Sequence, residues 1–396
     1  MQGNGEDFEE GRCQIEKEVK MRYNLISAMR NVLGILAVAT MLISCVVPSA
    51  TQVRTKEAKD PHYLTNKYLK DLKQGNNSER TEAAWKLGDS WMKRTPEVVP
   101  TLIEALKDPY PKVRANAAGA LSRIGEEARP AESALKATLN DPYGQAVLNA
   151  ARALRSLKVP DEELIPVVRK VLNDKKGTTR MDAVRLLRSM GLKNREVIPT
   201  IVSVLSDPVA QARKDALKML NEMKLKSVPK EVAGSVIELL KDSDEEVRWQ
   251  AALFLGNSYI PIPNAQAPLI DALNDPSDTV IGVAARALGA YGKSAEGTVP
   301  KLFEILNTNS NEGTRENVCE ALGRIGSPKA RIADVLVEVL SSDPSSRARY
   351  GAASGLRDLK YKNKAVLDAL KKASTQDTEQ SVRTISSITY KQLGGK

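Results

Sequence analysis

Short apolar stretches with helical spacing, separated by polar turns, recur from about residue 62 to residue 392. One typical stretch carries its apolar residues at Val113, Ala117, Ala120, Leu121 and Ile124. The i, i+3, i+4, i+7 spacing predicts a helix that buries one face. Another apolar stretch, Val99 to Leu106, precedes it on the other side of a turn. Each such unit is therefore predicted to be an αα-hairpin.

Aspartate marks the turn inside most units. Asp-Pro occurs at Asp108, Asp141, Asp207, Asp275 and Asp343, and the equivalent positions elsewhere are Gly75, Asp174, Asp242, Asn309 and Asp377. Successive positions are 33 to 35 residues apart. Proline ends one helix and prepares the next, because it lacks an N–H donor and fixes φ near the helical value. A fixed period of this length indicates stacked repeats, since a single hairpin cannot bury both of its faces.

The repeated pattern PxLIEALxDPxxxVRxxAAxALxxIG resembles the HEAT-like repeat of phycobilin-lyase-type proteins, over about residues 62–392. The resemblance implies an all-α fold, a right-handed α-solenoid of about ten HEAT-like helix pairs. It also implies a structural ladder between neighbouring repeats, built from a turn Asp and an Arg six positions on. The pairs are Asp108/Arg114, Asp174/Arg180, Asp207/Arg213, Asp242/Arg248, Asp343/Arg349 and Asp377/Arg383. Val147 and Ile281 break the pattern, and Arg315 follows Asn309 instead of Asp.

The N-terminal region reads as a targeting signal. An apolar run from Val32 to Val47 follows basic residues and is shorter than the roughly 20 residues that a spanning helix needs. Leu42-Ile43-Ser44-Cys45 resembles the bacterial lipobox, which implies lipidation of Cys45. We therefore expect a leader and signal peptide over 1–44, a lipidated tether over 45–60 and the solenoid over 61–396. An uncleaved inner-membrane anchor and ordinary secretion are the alternatives, and Met1, Met21 and Met29 are all candidate starts.

The absence of Asp after Cys45 favours the outer membrane, facing the periplasm, with the inner membrane as the alternative. Formal net charge is +10, and removal of residues 1–44, with six acids and five bases, leaves about +11. This charge favours an acidic protein or another polyanion, or it serves solubility alone. Nucleic acid is not expected for an exported chain.

Basic residues recur at matched positions of the second helices in units three to five. These "basic columns" are Arg152, Arg155, Arg185, Arg188 and Lys218. They are either an acidic-ligand groove or a solvated helix face whose long stems cover apolar surface. Trp249, Tyr350 and Trp85 are candidate aromatic contacts, with packing as the alternative.

Catalytic residues are sparse. His62 is the only histidine, and Cys319 would be the only non-lipidated cysteine of the mature chain, expected in the core. We expect no cofactor, no metal site and no enzymatic activity. The sequence favours a non-catalytic envelope lipoprotein that binds protein partners through the concave face of the solenoid. A cytoplasmic or inner-membrane-anchored HEAT-repeat adaptor is the alternative, and a HEAT-like lyase or hydroxylase comes third.

Overall fold

The computed structural model describes residues 61–89, 92, 95–257 and 261–395. These residues are all-helical and contain no strand, so the predicted fold class is confirmed. They divide into two compact units, of which the first ends at Ala131 and the second begins at Glu132. The predicted signal peptide, Cys45 and the tether over 45–60 lie outside the described residues.

The first unit contains two helix pairs. Its helices are α1 (Pro61–Gln74), α2 (Asn77–Lys86), α3 (Val98–Ala105) and α4 (Pro111–Ile124), and a 3₁₀ segment, Gly125–Ala131, follows. Helix α2 begins at a capping box: the Asn76 side chain accepts from the backbone of Ser78 and Glu79, and the Glu79 carboxylate accepts from the Asn76 N–H. Three backbone N–H donors are thereby satisfied at the helix start.

The second unit contains eight further pairs, in which even-numbered helices are the second members. The helices are α5 (Glu132–Thr138), α6 (Gly144–Ser156), α7 (Asp161–Val171), α8 (Gly177–Ser189), α9 (Asn194–Leu205), α10 (Ala210–Met223), α11 (Lys230–Glu238), α12 (Glu245–Asn257), α13 (Gln266–Asp271), α14 (Asp278–Gly289), α15 (Val299–Thr308), α16 (Glu312–Ile325), α17 (Lys329–Ser342), α18 (Ser346–Leu359), α19 (Lys364–Gln376) and α20 (Gln380–Gln392). Short 3₁₀ turns extend α11 and α13 and precede α15.

The recurring turn aspartate folds the chain back locally. Its carboxylate accepts a hydrogen bond from the backbone N–H two residues on, as from Val209 to Asp207 at 2.9 Å. The same bond, at 2.7–2.9 Å, is made by Asp108, Asp141, Asp174, Asp242, Asp275, Asn309, Asp343 and Asp377. Asn309 serves as well as Asp because the bond needs only a side-chain carbonyl oxygen. This turn explains why Asp or Asn recurs with the repeat period.

Glycine lets the later second helices approach closely. A Cβ atom at Gly351 of α18 would lie 2.7 Å from the Glu316 carbonyl oxygen of α16. At Gly355, one turn on, it would collide with the carbonyl oxygen of Cys319. Cys319 is fully buried in this contact, as expected of a small core residue. Burial also raises the pKa of its thiol, so the group stays neutral.

We predict that Gly355→Ala destabilises the second unit by about 1–3 kcal/mol, because backbone atoms of α16 cannot move aside as a side chain could. The matched control is Gly234→Ala on α11, where an added Cβ meets no atom within 4 Å. That change should stabilise the protein by about 0.5–1 kcal/mol through helix propensity alone. Urea unfolding of the two variants measures both effects. Equal stability changes would show that α16 and α18 are not packed this tightly.

Candidate functional site

An arginine near the start of most second helices reaches the turn of the following pair. Arg213 donates from Nε and Nη2 to the Asp242 carboxylate at 2.7 and 2.6 Å. Its Nη1 donates to the backbone carbonyl of Asp207, six residues earlier, at 2.8 Å. The same bidentate bond, from Nε and Nη2 to one carboxylate, joins Arg80 to Asp108, Arg248 to Asp275, Arg315 to Asp343 and Arg349 to Asp377. We call this set the arginine ladder.

Each ladder arginine thus bonds a backbone oxygen of the turn in its own pair and a side-chain carboxylate of the turn in the next pair. The turn Asp six residues earlier contributes its backbone oxygen, as Asp108, Asp174 and Asp377 do for Arg114, Arg180 and Arg383. The carboxylate partner lies 27 to 29 residues further along the chain. Arg80 and Asp275 belong to the ladder although their own repeats lack the Asp and Arg six apart. That separation of 27 to 29 residues is the signal that would have found them.

Two second helices carry an apolar residue where the arginine would stand. Where Ile281 occupies this position, the next turn carries the neutral Asn309, whose Nδ2 donates to Asp278 at 2.6 Å. Where Val147 occupies it, the next turn keeps Asp174. A Cβ at Gly144, the first residue of α6, would collide with the Asp174 carboxylate. The carboxylate therefore sits at the positive end of that helix, which favours the charge.

One ladder contact is weaker than the others. Arg180 reaches Asp207 only through Nη2, at 3.1 Å, and its buried Nε has no partner among the described residues. Gly177 begins the same helix, and a Cβ there would collide with the Asp207 carboxylate. The Asp207 carboxylate therefore lies over a glycine at a helix start, as Asp174 does. In this position it accepts only one hydrogen bond from Arg180.

Two arginines of the basic columns are already paired with acids. Arg155 donates to Asp161 at 2.9 Å and to the Ser189 carbonyl oxygen of the next pair at 2.7 Å. Arg185 lies 2.9 Å from Asp182 and 3.3 Å from Asp215 of the next pair. Both side chains therefore tie neighbouring second helices together, which limits what they can offer to a ligand.

The other three basic-column residues keep more of their charge uncompensated. Arg152 donates to the neutral amide of Asn149 at 2.8 Å. Burial is the main cause that lowers its pKa; nearby Arg185 lowers it further, and Asp182 opposes this. Arg188 contacts the Met219 sulfur at 2.8 Å, and Lys218 is exposed. The structure thus brings Arg152 beside Arg185, while Lys218 projects from α10.

The candidate aromatic residues differ in exposure. Trp249 and Tyr350 are half-buried and pack against the core of the second unit. Trp85, at the end of α2, is 47% exposed. A partner molecule can therefore reach Trp85 most easily.

Within the described part of the chain, no group of three or more His, Cys, Asp or Glu side chains could hold a metal ion. Over the same residues, no helix is long and apolar enough to span a membrane. His62 is exposed on α1.

Comparison with known proteins defines the class. HEAT repeats match residues 66–155, 131–221, 198–280, 233–317, 266–333 and 299–389, and the chain belongs to this repeat family. An engineered protein of known crystal structure is 20% identical, with a TM-score of 0.52 over 83% of this chain and 98% of its own. Kap95p, solved with RanGDP, is 14% identical, with a TM-score of 0.53 over 91% of this chain. The chain spans 54% of Kap95p. No curated protein sequence matches.

We predict that Asp242→Ala destabilises the second unit by roughly 2–4 kcal/mol, because it leaves the largely buried Arg213 guanidinium without its carboxylate. Asp271→Ala, at an exposed aspartate on α13, is the matched control and should change stability by less than about 0.5 kcal/mol. Urea unfolding gives the stability change. Hydrogen exchange should show the loss of protection in both pairs that Arg213 joins. Similar values for the two variants would refute a structural role for the ladder.

Proposed function

We propose that the protein is a non-catalytic scaffold that binds protein partners through the face formed by its second helices. The HEAT-repeat fold supports this proposal, because stacked repeats present an extended row of side chains that is independent of the core. Kap95p, which has a similar fold, binds RanGDP. The observation that carries the proposal for this chain is the state of Arg152: a guanidinium that bonds a neutral amide and lies near both Asp182 and Arg185, and whose pKa is lowered mainly by burial.

An acidic segment is the partner that this arrangement favours. A carboxylate beside Arg152 would offset the burial and the repulsion that lower its pKa, and further acids along the segment would be attracted to Arg188 and Lys218. Arg155 and Arg185 would then hold neighbouring helices in place while Arg152, Arg188 and Lys218 supply net positive charge. An acidic protein fits this surface, and a non-protein polyanion is the alternative.

We further propose that the scaffold is an envelope lipoprotein, anchored by lipid on Cys45 through the tether over 45–60 and facing the periplasm from the outer membrane. The lipobox-like Leu42-Ile43-Ser44-Cys45 and the short apolar run support this location. An inner-membrane-anchored or cytoplasmic adaptor is the second candidate. An enzyme related to HEAT-like lyases or hydroxylases is the third, on the strength of the phycobilin-lyase-type repeat pattern.

Neutralising the basic columns should weaken binding of an acidic peptide. We expect Arg152→Gln/Lys218→Gln to raise the Kd for fluorescein-labelled decaglutamate about tenfold, equivalent to about 1.4 kcal/mol. The control is Lys241→Gln/Lys371→Gln, which removes the same charge from exposed sites on the 3₁₀ turn after α11 and on α19. Anisotropy titrations at two salt concentrations would measure both. If the two double variants weaken binding equally, only net charge matters and the columns are not a site.

Expression in a Gram-negative host tests the anchor. We expect the intact mass of the mature protein to correspond to loss of residues 1–44 plus acyl groups on Cys45. Cys45→Ser should abolish both the processing and the membrane fractionation. If the serine variant is processed and fractionates like the unaltered protein, the lipoprotein proposal is wrong, whatever the outcome for the basic columns.

A further inference from the structure

A groove on the first unit runs between the second helices α2 and α4. It has a volume of about 490 Å³ and is lined by Asn77, Thr81 and Trp85 of α2 and by Tyr110, Lys112 and Asn116 at the start of α4. Asn116 donates to the Thr81 carbonyl oxygen at 2.8 Å and so fixes the spacing of the two helices. We call this feature the Trp85 groove. It lies apart in sequence from the basic columns, which belong to the second unit.

Trp85 closes one end of the groove beneath two cations. The Lys86 ammonium lies 4.7 Å from the ring centroid and the Arg123 guanidinium 5.5 Å from it. Arg123 also donates to the backbone carbonyl of Trp85. Such cation–π contacts hold positive charge at the indole without neutralising it. A ligand that reaches Trp85 therefore meets an apolar ring edge and two positive charges together.

Glycine at position 88 makes this arrangement possible. A Cβ there would lie 2.5 Å from the Arg123 guanidinium and 2.6 Å from the backbone of Ala120. Without that atom, α4 approaches the end of α2 and Arg123 can cross to the Trp85 ring. The guanidinium is consequently partly desolvated: burial lowers its pKa, and Asp89 opposes this only through a longer-range attraction. The packing around Gly88 thus holds the positive charge of Arg123 at this site, and Asp89 balances that charge only in part.

We propose that the Trp85 groove binds an acidic peptide segment of a protein partner, with one large apolar side chain against Trp85 and carboxylates beside Lys86, Lys112 and Arg123. Among the residues that line the groove, the exposed Glu82 offsets the charge of Lys112. The positive charge comes from Lys86 and Arg123 at the Trp85 ring, which Asp89 opposes only in part. A peptide offers both kinds of group that this part of the groove can contact, carboxylates for Lys86 and Arg123 and an apolar side chain for the indole. The size of the groove suits a few residues in extended conformation.

The probe is a fluorescein-labelled peptide, acetyl-Glu-Asp-Glu-Leu-Glu-Asp-Glu, titrated with the full chain. We expect Trp85→Ala and Arg123→Gln each to weaken binding at least about tenfold, since an aromatic side chain and an arginine that the bound peptide covers dominate such contacts. Tyr63→Ala, at an aromatic residue of α1 with 46% exposure, is the control for Trp85. Lys107→Gln, at an exposed lysine of the first unit, is the control for Arg123. Circular dichroism confirms that each variant is folded.

A second peptide, with Ser in place of Leu, should bind the unaltered protein about tenfold more weakly. Equal binding of the two peptides, or no effect of Trp85→Ala beyond that of Tyr63→Ala, overturns the inference. It is also overturned if no binding is detected, or if a heparin hexasaccharide binds with greater dependence on Trp85 than the peptide does. Titration of the same peptide with the Arg152→Gln/Lys218→Gln variant distinguishes binding at the basic columns from binding at the Trp85 groove. Loss of peptide binding in that variant alone would place this peptide at the basic columns and reject the Trp85 groove, whereas the reverse pattern would support the groove and leave the columns to the decaglutamate titration.

Discussion

The contact between one turn and the next is the constraint on which the second unit depends. A helix pair cannot bury both of its faces, so each pair is stable only if its neighbour stays in register. The arginine ladder provides this register because one guanidinium bonds a backbone carbonyl of its own turn and a carboxylate of the next, as Arg213 does with Asp207 and Asp242. The turn carboxylate in turn accepts a backbone N–H, so turn shape and repeat spacing are set by the same group.

The helix pairs could be predicted from the sequence because their signals are local and repeated. Apolar spacing and turn residues recur with the period of one unit, and each copy reports the same structure. The partners of the ladder arginines were harder to assign. A spacing of six residues suggests an ion pair between an Asp and an Arg of the same repeat. The carboxylate that Arg248 bonds instead belongs to Asp275 of the next repeat. An aspartate without an arginine six positions on can therefore still be a full member of the ladder.

The basic columns could be located from the sequence, but their charge state could not. Repeat alignment places Arg152 and Arg185 at the same position of neighbouring helices. It does not show that Arg185 lies between Asp182 and Asp215 while Arg152 donates to an amide and shares the attraction of Asp182. Side-chain partners depend on the conformations that long side chains adopt between helices, and these have no sequence period. The Trp85 groove was missed for a similar reason, since it depends on the close approach that Gly88 permits.

The apolar residues at Val147 and Ile281 interrupt the arginine ladder at two places in the second unit. A repeat array behaves as a row of units coupled to their neighbours, and the strength of each coupling sets how far a local opening spreads. At Ile281 the bidentate guanidinium link is replaced by the hydrogen bond from Asn309 to Asp278, and at Val147 the Asp174 carboxylate faces Gly144 at the start of α6. Between the two positions, Arg180, Arg213 and Arg248 still link each pair to the next. A partner that binds across Val147 or Ile281 would therefore add a connection that the arginine ladder does not make there.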